Sequence, residues 1–387
     1  MKPRLAIITT HPIQYNAPLF RWLVKRGNVE VMVFYTWGKE SLAKYDPGFQ
    51  KKIAWDIPLL DGYAYTFVEN ISTNKGSHHY RGIVNPSLVG LLKNWNPDAI
   101  LIYGWNFKSH LQVMRHFHKK IPVLFRGDST LLNEPQTLSI KKIARRLFLR
   151  WVYRHIDFAL YTGYSNYDYF LAHGVKKNQL IHAPHAIDLE RFTGLESEYS
   201  SKAKEKLRDL GINPASKIFL YAGKLEAIKC ISLLVLAYSE QVLLNTHLVI
   251  VGNGNQEASL KNEFKNFQHI HFLDFQNQSM MPVIYRMADI FVLPSRSETW
   301  GLAANEAMAC GCVVLMSSAC GACRDLIVEG KNGYSFQSGN KEDLKNKLKV
   351  LAENDHLDEM KAFARMHIQN FSFEKICEAI EGCIGKK

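Results

Sequence analysis

The chain is predicted to be an α/β protein of two or three domains, and three observations predict it. Short apolar runs of strand length recur along its 387 residues, each closed by a polar or glycine-containing loop. Several of those loops lead into amphipathic or small-residue segments of helical period. The length exceeds what one hydrophobic core of about 150 residues organises, so more than one domain is expected.

Arg4–Thr9 is the first strand, closed by Thr10-His11-Pro12-Ile13-Gln14-Tyr15 ahead of a helix around Ala17–Lys25. A loop at the carboxyl end of such a strand faces a ligand crevice, which makes His11, Gln14 and Tyr15 contact candidates; a structural role for the lone His11 stands beside that reading. Val29–Tyr35 is the second strand. The polar and aromatic stretch from Thr36 to about Gly82 is too long for a structureless loop, so part of it is expected as strand or lid. Its Trp37, Trp55, Tyr63 and Tyr65 either pack on the core or stack on sugar rings, and His78-His79 lack metal-ligand spacing.

Pro97–Tyr103 ends in Gly104-Trp105-Asn106, and Pro122–Phe125 ends in Arg126-Gly127-Asp128-Ser129. Both loops should open on the same crevice, adding Trp105, Arg126 and Asp128 as candidates. Arg126 either meets a phosphate or acidic ligand or forms a structural ion pair. Over Ser139–His155, Ile140, Ile143, Ala144, Leu147, Phe148, Trp151 and Val152 follow helical spacing, with Lys141, Lys142, Arg145, Arg146, Arg150 and Arg154 on the other side. Either the apolar side lies in the core and the basic face in water, or that basic face docks on an anionic membrane, at about 1 kcal/mol per cation. Asp157–Thr162 is the next strand; a first domain is assigned to 1–190, and the polar stretch 191–213 is expected to connect it to a second, 214–369.

That second domain opens with the strand Ile218–Ala222 and the loop Gly223 to Lys229. Lys224 and Lys229, on a loop after a strand, can both reach a pyrophosphate and neutralise charge growing on a leaving group. His247–Val251 is closed by Gly252-Asn253-Gly254, which lacks the third glycine of a dinucleotide fingerprint and reads as a tight turn with close backbone approach. Ile270–Leu273 leads to Asp274-Phe275-Gln276. The organising stretch is Leu293–Leu315: a strand ends in Pro294-Ser295, a loop carries Glu298, Gly301 starts a small-residue helix to Gly311, and Cys312–Met316 restarts a strand. The helix start, through the N–H groups of Gly301 and Leu302, can hold a phosphate. Glu298 and Glu306, as acceptors only, suit hydroxyl groups. Sugar, phosphate and ribose together describe a nucleotide sugar. Cys320 and Cys323, with Cys310 and Cys312 nearby, read as core packing rather than a metal site.

The stretch from Leu293 to Leu315 resembles the signature of the retaining family 4 glycosyltransferases, in the group 1 glycosyl transferases. The resemblance implies the GT-B fold: two Rossmann-like domains with a cleft between them, and a C-terminal segment, here 370–387 with a helix at Phe371–Ile384, crossing back to the first. It implies that Glu298 binds the transferred sugar and Glu306 the ribose, that Lys224 and Lys229 stand where the family carries Arg and Lys, and that the loop at Phe275 touches the base. Gly223, Thr299, Trp300, Gly301 and Leu302 complete the implied donor site; His11, Gln14, Tyr15, Trp105, Arg126 and Asp128 fall on the acceptor side. The chain departs from the family where a glycine-rich loop is replaced by Thr10–Tyr15, where a His-Asp pair is replaced by Arg126-Gly127-Asp128, and where Pro-Asn-Gly-Val-Asp is replaced by Pro184-His185-Ala186-Ile187-Asp188.

Residues 1–193 hold 26 Lys and Arg against 13 Asp and Glu, and residues 194–387 hold 22 against 23. The first half is therefore the side that meets an anionic surface, polymer or phosphorylated acceptor; no nucleic-acid motif accompanies the charge. All seven cysteines lie at or beyond Cys230, several in apolar runs, which argues against a disulfide framework. Met1-Lys2-Pro3-Arg4 runs into a strand without a signal-peptide pattern, and no apolar run reaches about eighteen residues. The expectation is a cytoplasmic, metal-independent retaining enzyme without cofactor, peripheral on the inner face of the plasma membrane through helix 139–155. Its donor would be a nucleotide sugar, UDP-linked ahead of GDP- or ADP-linked, and its acceptor a glycan or lipid-linked hydroxyl. A nucleotide-sugar epimerase or hydrolase on the same scaffold, and a non-catalytic membrane or polymer binder, are the rival readings.

Overall fold

The computed structural model describes residues 2–42, 44–46, 48–132, 134, 137, 139–241 and 243–385, with backbone alone at 44–46 and 51–52. Two compact units emerge: Met1–Lys44, Ile57–His185 and Phe373–Lys387 form one, Tyr45–Asp56 with Ala186–Ser372 the other. Both are α/β, and both are built on parallel sheets.

In the first half, β1 (Arg4–Thr9) and β2 (Glu30–Tyr35) precede a two-stranded sheet of β3 (Lys44–Asp46) and β4 (Lys51–Ile53). There follow β5 (Ala64–Phe67), β6 (Ala99–Tyr103), β7 (Val123–Arg126), β8 (Phe158–Tyr161) and β9 (Leu180–His182). The first unit's sheet runs β5-β2-β1-β6-β7-β8-β9, all parallel. Leu5, Ala6, Ile7 and Ile8 are fully buried, as strands covered on both faces require. The chain leaves β1 towards β2 and returns on its other side as β6, so the loops after β1 and β6 flank the switch point, where doubly wound sheets open a crevice.

The second unit repeats the plan with β10 (Lys217–Ala222), β11 (Thr246–Val251), β12 (Ile270–Leu273), β13 (Ile290–Leu293), β14 (Val313–Ser317) and β15 (Gly333–Phe336), in the order β12-β11-β10-β13-β14-β15. Its switch point falls between β10 and β13, paired through Phe219 with Ile290 and Leu220 with Phe291. The lysine loop follows β10 and the Glu298 loop follows β13.

Four expectations change. The stretch 191–213 is not a bare connection: it holds the helices Leu189–Thr193 and Glu196–Asp209, and Phe192, Ala203, Leu207 and Ile212 enter the second unit's core. Ala203 and Leu207, one turn apart, give an otherwise charged helix its buried stripe. The first unit's main stretch closes at His185 rather than at 190, and residues 45–56 of the long insertion belong to the second unit. The rest of that insertion contributes the edge strand β5, paired to β2. The helix predicted over 139–155 spans Ile140–Tyr153 and is turned about: Leu149, Val152 and Tyr153 are buried, whereas Ile140, Ile143, Leu147, Phe148 and Trp151 face outward. The last helix, Phe373–Glu381, packs in the first unit, where Arg26 reaches Glu381 at 3.0 Å and Glu374 at 3.2 Å.

Candidate active site

The lysine loop is set by backbone proximity. The Gly223 N–H donates to Val251 O at 2.9 Å. The neighbouring Gly252 has φ +139°, and a Cβ there would stand 1.9 Å from Gly223 O, so the ends of β10 and β11 come together only because that residue is glycine. The buried Tyr221 hydroxyl donates to Lys224 O at 2.7 Å, which pins the loop as it leaves the strand. A single turn, Ala227–Lys229, then swings Lys229 back towards the sheet end.

Across the switch point, Lys229 Nζ forms an ion pair with Glu298 Oε2, both side chains about one-fifth exposed. Ser295 Oγ donates to the same oxygen at 3.5 Å, and Arg296 N donates to Ile228 O at 2.9 Å, tying the two loops together. Two residues expected to act on the same ligand, 69 positions apart, thus meet side chain to side chain. The loop after β14 supports them from below: Gly321 N donates to Glu298 O at 3.0 Å and Ala322 N to Trp300 O at 3.2 Å. Sequence reading considered this loop only for its cysteines; no residue type in it announces a backbone role.

Gly301, at φ +105°, turns the chain into the helix Leu302–Ala309. A Cβ there would approach Leu293 Cδ2 to 2.6 Å. Thr299 is exposed beside it and Leu302 half-buried. The Trp300 side chain is buried in the second unit's core and its Nε1 donates to Asn305 Oδ1 at 2.9 Å. Glu306 is buried in the same helix, one carboxylate oxygen accepting from the Tyr285 hydroxyl at 2.7 Å. Burial pushes its pKa up, partly offset by that hydrogen bond and by the Arg191 charge. Tyr285 lies in a separate helix, Met281–Arg286, and nothing in its local sequence marks it.

Phe275 follows β12, its N–H donating to Asn253 Oδ1 at 2.7 Å. Phe49 packs edge-on against its ring at 4.9 Å between centroids, and Trp55 lies 6.4 Å away. Lys224 Nζ stands 5.1 Å over the Phe49 ring. Asn277 Nδ2 donates to Ala54 O at 2.8 Å and Ser279 N to Asp56 Oδ1 at 3.0 Å. The 48–56 segment is therefore laid against the loop expected to read the base, and Trp55 and Phe49 belong to the second unit's site region.

In the first unit the acceptor-side candidates all sit at the carboxyl ends of three neighbouring strands. After β1, His11 Nδ1 pairs with Thr10 Oγ1 at 2.8 Å and its ring meets Trp37 edge-on; Gln14 and Tyr15 are half-buried beside it. After β6, the Trp105 ring rests 5.7 Å from Phe148. After β7, Arg126 is buried and donates to Ala183 O at 2.8 Å and Pro184 O at 3.1 Å. Its structural reading takes the form of a tether: the guanidinium is bonded to two backbone carbonyls. Asp128 Oδ2 lies 4.0 Å from His185 Nε2. Burial and the Arg126 charge hold His185 down to about 3 against the pull of Asp128, so the imidazole is neutral at physiological pH. A His-Asp neighbourhood exists after all, built from residues 57 positions apart. His110, not singled out in the sequence, is buried and bridges Thr36 Oγ1 at 2.8 Å to Gly104 O at 2.9 Å, and burial lowers its pKa to about 4.

Among the described residues no group of three or more His, Cys, Asp or Glu is arranged to hold a metal ion, and no helix is long and apolar enough to cross a membrane.

Comparison with known proteins bears on both units. Residues 202–367 match the family described as "Glycosyl transferases group 1". The D-inositol 3-phosphate glycosyltransferase of Corynebacterium jeikeium is 28% identical over 212 residues, covering 51% of this chain and 49% of that protein; the chain thus spans about half the length of this curated relative. Among solved structures, sucrose-phosphate synthase from Thermosynechococcus elongatus aligns with TM-score 0.72 at 18% identity, over 98% of both chains. Anabaena HepE, solved in complex with UDP and glucose, aligns with TM-score 0.70 at 16% identity, again over 98% of both. The fold is that of the GT-B proteins.

Proposed function

We propose, from a second unit whose residues 202–367 match the glycosyl transferases group 1 family, that this protein transfers a hexose-type sugar from a nucleotide-diphosphate sugar to an acceptor hydroxyl, with retention at the anomeric carbon. The observation that carries the reading is the Lys229–Glu298 ion pair at the switch point of the second sheet, beside the helix that starts at Gly301. Each partner neutralises the other. A diphosphate draws Lys229 and Lys224 to itself, and the released Glu298 carboxylate accepts hydrogen bonds from sugar hydroxyls.

The chemistry then needs little beyond placed charge. The bond from the anomeric carbon to the diphosphate oxygen breaks while the acceptor oxygen forms its bond on the same face, and the hydroxyl proton passes to the departing phosphate. Negative charge grows on that phosphate, where the two ammonium groups and the helix start stabilise it more than they stabilise the ground state. Neutralisation by lysines makes the proposed reaction independent of a divalent cation, so a chelator should leave the rate unchanged. Glu306, held by Tyr285, takes the ribose hydroxyls, and Phe275 with its aromatic neighbours takes the base.

UDP is the proposed nucleotide, with uracil as its base, supported by the UDP complex of the structural neighbour. The excess of cations in residues 1–193 suits an anionic acceptor, the class to which the inositol 3-phosphate in the relative's name belongs. The acceptor is proposed as a glycan or lipid-linked hydroxyl at the inner face of the plasma membrane, in the synthesis of a cell-surface polysaccharide or glycoconjugate. The test is a panel of UDP-, GDP- and ADP-sugars incubated with and without glycan and lipid-linked acceptors, with the anomer of the product read by NMR. Acceptor-dependent product with retained configuration is expected. Sugar release or epimerisation that ignores the acceptor would overturn the reading.

A further inference from the structure

We propose that the helix Ile140–Tyr153 inserts its outward apolar stripe into the interface of an anionic lipid bilayer. This deepens the membrane part of the functional reading above, and moves contact from the basic face to the apolar one.

At about 100° per residue, Ile140, Leu147 and Trp151 fall within about 40° of one another, with Ile143 and Phe148 on the flanks and Leu149 on the opposite side. The protein core takes that opposite side, through Leu149, Val152 and Tyr153. The stripe is left uncovered: Ile140 is 86% exposed, Leu147 61%, Ile143 50%, Phe148 44% and Trp151 37%. Five large apolar side chains in one row cost the protein in water, so something is expected to cover them.

Charge says what covers it. From Ser139 to Arg154 there is no acidic residue and there are six cations. Arg145 is committed to Glu134, but Lys141 on one side of the stripe and Arg150 on the other are exposed and flank it, and the exposed Arg154 stands at its carboxyl end. Cations on long stems beside Trp, Phe, Leu and Ile match a bilayer interface, where the stems snorkel to phosphates while the apolar side sinks about 5–10 Å. A second copy of the same face would bring cations against cations. The Phe148 ring touches Trp105, on the loop after β6, so the inserted face adjoins an acceptor-side loop within the same unit.

The experiment is sedimentation of the full chain with phosphatidylcholine vesicles and with phosphatidylcholine–phosphatidylglycerol vesicles, without donor or acceptor, so that its outcome is independent of transfer activity. Variants are Ile143→Ser/Leu147→Ser, which alters only exposed side chains, and Lys141→Gln/Arg154→Gln. Wild type should partition to the anionic vesicles. The serine pair should reduce that partition at least about tenfold, and the glutamine pair by about tenfold or more, from about 1 kcal/mol per cation. Melting temperatures should stay at the wild-type value in both. Absence of vesicle binding, or serine-pair binding equal to wild type, would overturn the proposal. So would a wild-type dimer that the serine pair converts to monomer, since the stripe would then be a subunit contact.

Discussion

At the scale of residues, two buried groups report the fold through pH. His110 is held neutral, its pKa brought from 6.5 to about 4 by burial. The unfolded chain takes up a proton on this residue at 6.5 while the folded one resists, so the stability it underwrites is intact above 6.5 and lost as pH falls towards 4. The full loss is about 3 kcal/mol at 1.36 kcal/mol per unit. His110→Gln should flatten that part of the stability-versus-pH curve, measured by urea unfolding between pH 7 and 4. Glu306 acts with the opposite sign. Its folded pKa lies above the ordinary 4.5, so the folded state holds its proton more tightly, and stability declines as pH rises from 4.5 through the raised value. Glu306→Gln should remove that decline, leaving the protein at least as stable at neutral pH, and should weaken nucleotide-sugar binding about tenfold through the lost charge-assisted bond. Calorimetric titration checks the second part; unchanged affinity would show that Glu306 serves Tyr285 alone.

At the scale of elements, strands such as β1, β6, β10, β11 and β13 were legible because each is a nearly continuous apolar run, whereas the short β9 and β15, with a polar or glycine residue among few apolar ones, were not. The two glycines that shape the donor loops were legible in kind as well: Gly252 was read as a close backbone approach, and the 1.9 Å clash a Cβ would make with Gly223 O is the physical content of that reading. Gly252→Ala should cost about 2 kcal/mol or more of stability, seen as a lowered urea midpoint, because both the space and the positive φ exclude a side chain. The helix Ile140–Tyr153 was legible as a helix and misread in orientation. Periodicity finds the apolar stripe but cannot say whether protein or another medium covers it, and here three residues on the far side, Leu149, Val152 and Tyr153, do the packing. The helix Glu196–Asp209 shows the converse: its charged composition hid a narrow buried stripe at Ala203 and Leu207.

At the scale of the whole molecule, a plan of more than one α/β unit followed from length and from the repeated strand–loop–helix pattern, and the count of two from the resemblance, while three parts of the plan could not be read from a linear sequence. Residues 45–56 join the second unit, Tyr285 holds Glu306 from another helix, and His185 lies beside Asp128. Each joins positions with no local signal of their partner. The pairing of Lys229 with Glu298 lies between these cases: each residue stood out for its own chemistry, and only the fold brings them together. The central claim is that this pair handles the leaving diphosphate and the transferred sugar. The most direct measurement is the turnover number of Lys229→Ala at saturating UDP-sugar and acceptor, with melting temperature recorded alongside. The expected result is a loss of at least about a hundredfold with the fold intact; turnover within about twofold of wild type would contradict the account.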